Sequence, residues 1–465
     1  MQSLPRSTGA LRGGYAAGGL SLAGVVAARA LATPDRLAWV DPDGSLTYAA
    51  LAEAVHERAG RLPGSGSLVV HLDADRDLAV AVLAGLARGL AVSVVGRRSG
   101  GRGVAAALAD SPGAALLQSR DAVGPDHLVV PGWGSGPTGG RAGPGRGTLT
   151  FSTSGTTGAA KSVRARTGLR AAGQLLGLVG SLPAVARPVV GSFASVDHGH
   201  GFGLLAGTLG LGGTFVSLSG AAVGRALGAV GMDRYDVLSG VPVQLADLAD
   251  ALDGGLSAPR VAVVLSGSDR LGESIAARLT RHTGAGVGNA YGATEIGTVC
   301  LATPRDRHRA PGTVGRPMPG VRVRVVDESG QVVPRGVAGR LVVRSPMGSG
   351  ATFSGDRGLV DAAGFVHVLG RADGLRVSGG ETVDPVALRD WLLAWPHVVA
   401  ARVDSEPDDR FGSRLVATVV VRAGGVLPQP AALRAAAAAQ LGPALVPRRV
   451  EVLTQDPLAP EATDG

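Results

Sequence analysis

The segment "TFSTSGTTGAAKSVRA", residues 150–165, decides how the rest of this sequence is interpreted. It opens on strand-like residues, continues as a loop of Ser, Thr and Gly, and reaches Lys161. The chain has 465 residues with 45 Lys plus Arg, and Lys161 is its sole lysine. Exposed backbone N–H groups, hydroxyl donors and one ammonium can together surround a polyphosphate. The segment therefore predicts a phosphate-binding loop at the end of a strand.

Two alternatives arise from the segment alone. Residues 155–162, "GTTGAAKS", nearly fit the P-loop pattern G-x-x-x-x-G-K-[ST], but Ala160 stands where the second glycine belongs. That glycine lets the backbone curl around phosphate, so its loss argues against a P-loop hydrolase. A Ser/Thr/Gly loop without a function is the second alternative.

Composition predicts a globular protein of two or three domains, because the chain is too long for one ordinary core. Hydrophobic residues make up 45% of the chain and the mean hydropathy is +0.23. A net charge of +8 is compatible with an anionic small ligand, but nucleic acid is not favoured. The Arg residues are scattered among Asp and Glu, and the 3% aromatic content offers few stacking platforms. Cys300 is the single cysteine, which excludes an internal disulfide and a cysteine-based metal cluster.

The N-terminal segment has two interpretations. Residues 13–32, "GGYAAGGLSLAGVVAARALA", superficially resemble a signal peptide. The spacing of the apolar residues instead favours an amphipathic helix interrupted by Arg29. Nothing else indicates secretion and no apolar run is long enough to span a bilayer, so we expect a cytoplasmic protein without a membrane span.

Further along, strand-like and helix-like segments alternate, which predicts a parallel or mixed sheet covered on both faces. Residues 37–48 read as a hairpin around an Asp-Gly turn, followed by a helix at about 49–62. Alternation at 320–344 predicts antiparallel strands in a smaller β subdomain. After 371–374, where we place a domain boundary, the pattern is that of a small α+β unit.

Four motifs occur in an order that points to a family. They are Thr153-Ser154-Gly155-Thr156-Thr157-Gly158-x-x-Lys161, Asn289-x-Tyr291-Gly292-x-Thr294-Glu295, Ser354-Gly355-Asp356 and Gly370-Arg371-x-Asp373. Together they resemble the adenylate-forming superfamily, which includes acyl-CoA synthetases, luciferases and the adenylation domains of peptide synthetases. The resemblance covers nearly the whole chain. Segments such as "GRADGLRVSGGETVDP" look most like the actinobacterial-type fatty or aryl acyl-CoA synthetases.

The resemblance implies an α/β fold in two parts. A large N-terminal domain of mixed sheets with flanking helices would span 1–370, with a β subdomain at about 310–370. A hinge at 371–374 would lead to a small mobile α+β C-terminal domain at 375–465. Family members use ATP and Mg²⁺ to convert a carboxylate into acyl-AMP and pyrophosphate. The small domain then rotates, and the thiol of CoA or of a carrier protein attacks the adenylate.

The resemblance also implies residues that bind ATP. The β and γ phosphates would be held by Thr153, Ser154, Gly155, Thr156, Thr157, Gly158 and Lys161. Thr294 would contact the α phosphate, and Glu295 would bind Mg²⁺, a hard cation that suits carboxylates. Adenine would stack on Tyr291 beside Asn289, Ala290 and Gly292 of the same motif, with Ser266, Gly267 and Ser268 lining its other side.

The remaining positions concern the ribose, the hinge and CoA. Asp356 would accept both ribose hydroxyls with support from Arg371, and Asp373 matches the hinge position. Gly379 and Gly380, in the loop "VSGGE", would lie near the pantetheine of CoA. Taken singly, such residues have structural explanations: Tyr291 as core packing, Asp356 and Asp373 as turn residues, Glu295 as a solvated charge. Their ordered occurrence favours the functional interpretation.

The acyl side is predicted from "DHGHGFGLLAG", residues 197–207. His200 and Phe202 fit a family pattern that borders the acyl pocket, and we place Gly288 there as well. Thr294, Glu295, Lys161 and His200 are the candidate catalytic residues. A metal site of Asp197, His198 and His200 is the competing hypothesis, because strand alternation can place the two histidines on one face.

The sequence departs from the family at one catalytic position. Most members end the small domain with a segment like Pro-x-x-x-x-Gly-Lys, whose lysine bridges the substrate carboxylate and the α phosphate. Here the last residues are "LTQDPLAPEATDG" and there is no second lysine. The family's second acidic hinge residue is Gly374, and Arg376 stands where relatives have Lys. We expect impaired or altered adenylation, since losing one preorganised donor typically costs about 10²–10³ in rate.

Three hypotheses follow. The first is an acyl-CoA synthetase-like ligase that is slow in adenylation or competent only in thioester formation. The second is a ligase that passes the acyl group to an amine or a carrier protein, and the third is a nucleotide-binding pseudoenzyme. The acid, the acceptor and the oligomeric state, including a homodimer, are left open by the sequence.

Overall fold

The computed structural model describes most of the chain. The described residues are 21–97, 100–119, 127–129, 147–153, 161–165, 186–267, 271–293, 296–346, 350–372, 374–379, 381–422 and 429–454. The predicted loop at 131–147 and the residues before Ser21 therefore lie almost wholly outside this description.

The strands of the large domain belong to two α/β sheets and one antiparallel sheet. They are β1 Leu37–Asp41, β2 Gly44–Thr47, β3 Ser67–His71, β4 Ala91–Val95, β5 Ala115–Gln118, β6 His127–Val129, β7 Thr148–Thr153, β8 Lys161–Ala165, β9 Val189–Ser192, β10 Thr214–Ser217, β11 Arg234–Gly240, β12 Arg260–Gly267, β13 Gly286–Ala293, β14 Gly297–Ala302, β15 Arg316–Pro317, β16 Arg322–Val326, β17 Gly339–Arg344, β18 Ala351–Val360 and β19 Val366–Arg371. The C-terminal strands are β20 Arg376–Ser378, β21 Glu381–Val383, β22 Val398–Asp408, β23 Gly412–Val421 and β24 Arg449–Thr454.

The helices alternate with these strands. They are α1 Leu22–Ala32, α2 Tyr48–Arg61, α3 Asp75–Ala87, α4 Gly100–Asp110, α5 Gly199–Gly210, α6 Val223–Val230, α7 Pro242–Asp253, α8 Glu273–Thr283, α9 Pro304–Arg309, α10 Pro385–Leu393 and α11 Pro430–Leu441. A 3₁₀ turn at Pro443–Leu445 precedes β24. The predicted hairpin at 37–48 and the helix after it are confirmed, and α1 confirms the helical interpretation for its own residues.

Two sheets with parallel centres form the large domain. The nine-stranded sheet has the order β15-β14-β13-β12-β11-β9-β10-β1-β2, and the six-stranded sheet has the order β6-β5-β3-β4-β7-β8. The central pairs of both are parallel, from β13 to β1 in the first sheet and from β5 to β7 in the second. The outermost pairs and the β13-β14 pair are antiparallel. This arrangement confirms the mixed sheets with flanking helices expected from the alternating pattern.

Apolar side chains fill the space between the two sheets. Residues from both sheets and from α1, α2, α3 and α5 share one buried cluster. Phe151 of β7 packs against Phe202 of α5, with ring centroids 5.7 Å apart and an interplanar angle of 61°. A second cluster lies where α6, α7 and α8 cover the nine-stranded sheet. Burial of each Val, Leu or Phe side chain stabilises the fold by about 1.5–3 kcal/mol. Packing on both faces of the sheets therefore holds the strand ends in fixed positions.

The antiparallel and C-terminal sheets complete the fold. The β subdomain is a four-stranded sheet with the order β16-β17-β18-β19, as the alternation at 320–344 predicted. The C-terminal unit has a β20-β21 hairpin and a three-stranded sheet, β22-β23-β24, packed with α10 and α11 around its own core. The expected α+β character of this unit is confirmed. The domain limits at 371–374 stay a prediction, and Asp373 lies outside the described residues.

The strand on which the competing metal hypothesis depends is not formed. Strand alternation at 197–207 was the basis for placing His198 and His200 on one face, but this segment turns into α5 at Gly199. The residues of α5 are mostly Gly, Ala and Leu, and this composition favours a helix that is buried on all sides.

Candidate functional site

The candidate site lies where strands of the two large sheets end. Val95, the last residue of β4, pairs with Ser152 of β7 in the six-stranded sheet. In the nine-stranded sheet, Gly267 at the end of β12 pairs with Ala290 of β13. The carboxyl ends of parallel strands are the usual place for ligands in α/β sheets.

The predicted phosphate loop joins two paired strands. Thr153, at the end of β7, lies opposite Lys161, at the start of β8, in an antiparallel register. The residues between them, which include Ser154, Gly155, Thr156, Thr157 and Gly158, lie outside the description, as do the side chains of Thr153 and Lys161. The structure thus brings the two ends of the loop together, next to the end of β4.

The predicted ribose residues form a cluster. The Tyr291 hydroxyl donates a hydrogen bond of 2.5 Å to Asp356 Oδ2, and Arg371 Nη1 lies 3.4 Å from Asp356 Oδ1. Asp356 and Arg371 face each other across β18 and β19. Burial, and then the negative charge of Asp356, raise the pKa of Tyr291 well above its usual range. These contacts connect β13, which carries Tyr291, to the β subdomain.

Two buried polar side chains lie on neighbouring strands close to that cluster. Ser266 and Asn289 are register partners on β12 and β13. Both are buried, and within the described residues Ser266 Oγ and Asn289 Oδ1 make no hydrogen bond. Because an unsatisfied buried polar atom costs about 1–3 kcal/mol, this pair is suited to polar atoms of a ligand. Ser268, Thr294 and Glu295, which continue these two segments, lie outside the description.

His200 lies on the other face of the nine-stranded sheet. Its Nε2 is 3.0 Å from Ser239 Oγ, and that hydroxyl donates to the Leu265 carbonyl at 2.9 Å. Since the hydroxyl hydrogen is used, Nε2 carries the imidazole proton and Nδ1 is left as an acceptor. Burial, followed by the charge of His198, lowers the pKa of His200 to about 4. His200 is therefore neutral at physiological pH.

The close fit of His200 explains a glycine. A Cβ on Gly267 would lie 2.2 Å from His200 Cε1, so no larger residue fits there without moving the ring. Of the other residues predicted for the acyl pocket, Phe202 packs on Phe151, and Gly288 pairs with Leu265 in the sheet.

A carboxylate–imidazole pair precedes α5. His198 Nδ1 lies 2.9 Å from Asp197 Oδ1, and the Arg97 backbone N–H donates to Asp197 Oδ2 at 3.0 Å. Although burial raises the pKa of Asp197, the adjacent His198 imidazole and the hydrogen bond from the Arg97 backbone N–H lower it overall, so the carboxylate is charged. The His198 side chain is 56% exposed, whereas Asp197 is buried.

Sequence reasoning missed the support beneath this pair. Asp75 accepts from the hydroxyls of Ser195 (2.6 Å), Ser217 (2.9 Å) and Ser219 (2.7 Å) and from Arg97 Nη2 (3.2 Å). The available signal was an acidic residue at the start of a helix that follows a buried strand, where the helix dipole favours a negative charge. The Asp75 cluster joins the ends of the two large sheets.

The metal hypothesis does not fit this geometry. Asp197 and His198 pair with each other, while His200 turns towards Ser239. In the part of the chain that the structure describes, no three His, Cys, Asp or Glu side chains are grouped as metal ligands. Among the same residues, no helix has both the length and the apolar character needed to cross a bilayer.

The C-terminal unit closes over this edge. Gly379, at the tip of the β20-β21 hairpin, donates its N–H to the Phe411 carbonyl at 2.9 Å. A Cβ on Gly379 would lie 3.9 Å from Val243 Cγ1 of α7, so the tip lies beside this helix. Glu381 follows the tip and is close enough to His198 for its charge to act on that imidazole. Gly380 lies outside the description. The described residues of the "VSGGE" loop thus lie beside α7 and near His198, and their place near the pantetheine of CoA stays a prediction.

A second contact between the units is ionic. At the tip of the β22-β23 hairpin, Arg410 forms ion pairs with Asp247 and with Asp250 of α7, the latter at 2.7 Å. Asp409 accepts a hydrogen bond from Ser274 of α8 at 2.9 Å. These contacts hold the hairpin against the large domain.

Comparison with known proteins places these observations in a family. Residues 148–353 match the family model described as AMP-binding enzyme, and residues 390–462 match the AMP-binding enzyme C-terminal domain. An uncharacterised acyl–CoA ligase of Bacillus subtilis, YhfT, is 30% identical over 223 residues. That match covers 46% of this chain and 46% of YhfT, so the chain spans less than half the length of this curated relative.

Solved structures match over nearly the whole chain. The amide bond synthetase McbA from Marinactinospora thermotolerans is 25% identical with a TM-score of 0.74, over 95% of this chain and 97% of McbA. A malonyl-CoA ligase, solved with methylmalonyl-CoA and AMP bound, is 29% identical with a TM-score of 0.71. The latter alignment covers 91% of this chain and 97% of that chain.

Proposed function

Because the chain belongs to the AMP-binding enzyme family, we propose that it uses ATP to convert a carboxylic acid into an acyl-adenylate and transfers the acyl group to a thiol, that of CoA. The observation that carries this proposal is the cluster of Tyr291, Asp356 and Arg371, together with the paired strand ends that bracket the loop at 154–160. A carboxylate for a ribose and a Ser/Thr/Gly loop for phosphates are the two parts that a nucleotide needs.

The described residues fit a nucleoside. Ser266 Oγ and Asn289 Oδ1 are buried polar atoms without a described partner, and they can pair with polar atoms of a base. Asp356 is buried and anionic acceptors suit vicinal hydroxyls, while Arg371 holds the carboxylate in place. Tyr291 presents its ring beside them. We assign the base and ribose to these residues.

We assign the phosphates to the loop at 154–160 and to the segment that follows β13. Lys161 and the hydroxyls of Thr153, Ser154, Thr156 and Thr157 would hold the outer phosphates, and Thr294 the α phosphate. Glu295 would hold Mg²⁺, which when bound neutralises phosphate charge as the pyrophosphate leaves. CoA would reach the site beside Gly379 and Gly380.

The reaction needs two displacements. A carboxylate oxygen of the acid attacks the α phosphorus, the bond to pyrophosphate breaks, and acyl-AMP forms. The acceptor thiol then attacks the carbonyl carbon, and AMP leaves with the bonding electron pair. On the acyl side, neutral His200 offers Nδ1 as a hydrogen-bond acceptor without placing a positive charge in the pocket.

Adenylation should be slow compared with the family because Lys161 is the sole lysine of this sequence and is assigned to the outer phosphates. Arg376, which follows the hinge, is engaged within its own unit: it donates to the carbonyls of Gly374 and Leu375, both at 2.9 Å, and to Ser405. Losing a preorganised donor such as the family's C-terminal lysine typically costs about 10²–10³ in rate.

An amine acceptor is the second candidate function. It is favoured by the match to McbA, an amide bond synthetase aligned over 95% of this chain. The same acyl-AMP would serve, and only the nucleophile would differ. A carrier-protein thiol would replace CoA in the same step.

Two assays test the proposal. Carboxylate-dependent exchange of labelled pyrophosphate into ATP measures adenylation, and product formation from chemically made acyl-AMP measures transfer. We expect slow exchange and faster transfer. Exchange at the rate typical of the family would contradict the lysine argument, and failure of both assays across a broad acid panel, with ATP still bound, would identify a pseudoenzyme.

Lys161→Ala tests the phosphate loop. We expect pyrophosphate exchange to fall by at least about 10²-fold, because an ammonium next to phosphates stabilises charge that develops on the leaving group. Arg402→Ala is the matched control, since Arg402 is exposed and pairs with Asp404 within the C-terminal sheet. Unchanged exchange in Lys161→Ala would show that the loop assignment is wrong.

A further inference from the structure

The four-stranded sheet of the β subdomain contains two pairs of arginines that face each other across strands. Arg340 of β17 is the register partner of Arg357 on β18, and Arg322 of β16 is the partner of Arg344 on β17. Directly opposite side chains lie on the same face of a sheet and close together, so like charges at such positions repel. An anion placed between the two guanidinium groups offsets this repulsion.

The first pair has such an anion within the protein. Glu328 Oε1 lies 3.4 Å from Arg357 Nη1, and Glu328 Oε2 lies 3.9 Å from Arg340 Nη1. The Arg340 guanidinium also lies over the ring of Phe353, 4.1 Å from its centroid. One carboxylate therefore spans both arginines of this pair.

The second pair has no carboxylate in this role. In the part of the chain that the structure describes, no Asp or Glu side chain forms an ion pair with Arg322 or Arg344. Both residues are exposed, and so is Arg324, which follows Arg322 on the same face of β16. This end of the sheet therefore concentrates positive charge at one place.

A cavity lies at the second pair. It has a volume of about 370 Å³ and is lined by Gly320, Arg322, Arg344, Ser345 and Pro346. Binding pockets for small molecules typically begin at about 300 Å³. Gly320 has a positive φ of 80°, and a Cβ there would lie 3.2 Å from Pro346 Cγ, so a larger residue would narrow the cavity.

One wall of the cavity is hydrogen-bonded to the segment after β13. Ser345 is buried, and its hydroxyl donates to the Ile296 carbonyl at 2.6 Å. Ile296 directly follows Glu295 in the sequence, the residue to which we assign Mg²⁺. The arginine pair is thus connected to that segment through the residue next to Arg344.

We propose that Arg322 and Arg344 bind a phosphate group of a small molecule in this cavity. The planar guanidinium groups offer paired N–H donors whose geometry matches phosphate oxygens. The phosphate would lie between Arg322 and Arg344 as the Glu328 carboxylate lies between the other two arginines. The residues involved are not those that we assign to ATP.

Two sources can supply this phosphate group. One is CoA, which carries several phosphates and is the acceptor under the proposed function, so this source rests on that function. The other is a free phosphorylated compound, which would bind whether or not the chain transfers an acyl group to CoA.

The test is a calorimetric titration with pyrophosphate at low ionic strength, where screening is weak. Arg322→Gln and Arg344→Gln should each weaken one binding event about 10-fold or more, because hydrogen bonds between charged groups are strong. Lys161→Ala should leave that event unchanged, since Lys161 belongs to the loop at 154–160. Arg340→Gln is the matched control and should also leave it unchanged, because Glu328 already lies at its pair.

Thermal unfolding gives a second readout. In buffer without phosphate, Arg322→Gln should melt at the same temperature as wild type or higher, because one of two facing like charges is removed. A purely structural role of Arg322 would lower that temperature. Pyrophosphate should raise the melting temperature of Lys161→Ala and should raise it less in the double variant Lys161→Ala/Arg322→Gln, since a ligand stabilises only the state that it binds.

Titration with CoA distinguishes the two sources. If CoA supplies the phosphate, Arg322→Gln weakens CoA binding about 10-fold, whereas a free phosphorylated compound leaves CoA binding unchanged in a variant that has lost pyrophosphate binding. Equal pyrophosphate binding in wild type, Arg322→Gln and Arg344→Gln would overturn the proposal. Carboxylate-dependent exchange tests the proposed function separately, and its failure would not alter the pyrophosphate titration of these variants.

Discussion

The nucleotide side and the acceptor side of the site use charge in different ways. We call Tyr291, Asp356 and Arg371 the nucleotide side, and Asp197, His198 and His200 the acceptor side. On the nucleotide side the carboxylate lies between a phenol and a guanidinium, and neither partner changes protonation near neutral pH. On the acceptor side two histidines, separated by one residue, have pKa values moved in opposite directions.

The immediate neighbours explain this difference. His198 lies against a buried carboxylate, which favours its charged form, whereas His200 is half-buried against a neutral hydroxyl and next to His198 itself. Burial without a compensating charge favours the neutral imidazole. Two histidines only one residue apart can thus differ in protonation, since one stays neutral near neutral pH while the charged form of the other is favoured. The comparison predicts how each responds to pH.

The largest expected effect concerns His200 and stability. Its pKa is about 4 in the folded protein and about 6.5 when unfolded, so the neutral form is the one that folding favours. Neutral His200 contributes about 3 kcal/mol to the free energy of unfolding, and this contribution is complete above pH 6.5. It is lost as pH falls from about 6.5 through about 4. Between pH 7 and pH 4, wild type should lose about that much more stability than His200→Gln, measured by denaturant unfolding.

The control for this experiment is His56→Gln, a change of the same type on the exposed face of α2. This variant should lose stability on acidification in parallel with wild type. If His200→Gln also runs parallel to wild type, His200 is not held neutral by burial, and the contrast between the two sides of the site disappears.

The next effect tests the nucleotide side. Asp356→Asn removes the charge that holds Arg371 and that would accept the ribose hydroxyls, so AMP binding should weaken about 10- to 100-fold, since charge-assisted hydrogen bonds contribute about 1.5–3 kcal/mol. Isothermal titration calorimetry measures this, and the loss should be constant between pH 6 and 8. Asp327→Asn, in an exposed turn of the same four-stranded sheet, is the control. Equal affinity in the two variants would remove Asp356 from the ribose site.

The fold was largely predictable because its signals are local. The period-two pattern at 320–344 and the Asp-Gly turn at 42–44 report directly on strands and a hairpin, and both are confirmed. The helix Gly199–Gly210 was not predicted, because the glycines and histidines at its start carry little periodicity and only its later Leu residues indicate a helix. The order of the motifs predicted the two domains, and the exact limits at 371–374 stay a prediction.

The site was predictable where a motif names a residue and not where contacts cross between sheets. Tyr291, Asp356 and Arg371 come from three separate motifs and meet in the structure. Asp75 and Arg97 belong to no motif, and the serines that bind Asp75 lie more than a hundred residues away in the sequence, as with Ser195. Pairings of this kind depend on how two sheets are placed against each other, which single-sequence patterns do not encode.

The smallest expected effect concerns the contact that brings the C-terminal unit to the acceptor side. Arg410 pairs with Asp247 and Asp250 of α7, and all three side chains are partly exposed, so their net contribution is small. Arg410 lies on the β22-β23 hairpin, whose Phe411 carbonyl accepts from Gly379 of the hairpin that carries Glu381. Arg410→Gln should therefore slow transfer from acyl-AMP by less than about fivefold and leave pyrophosphate exchange unchanged. Arg402→Gln, whose partner Asp404 lies on the same strand, should change neither rate. A larger effect on exchange than on transfer would mean that this docked arrangement serves adenylation, and the acceptor side would then lose its link to the C-terminal hairpin.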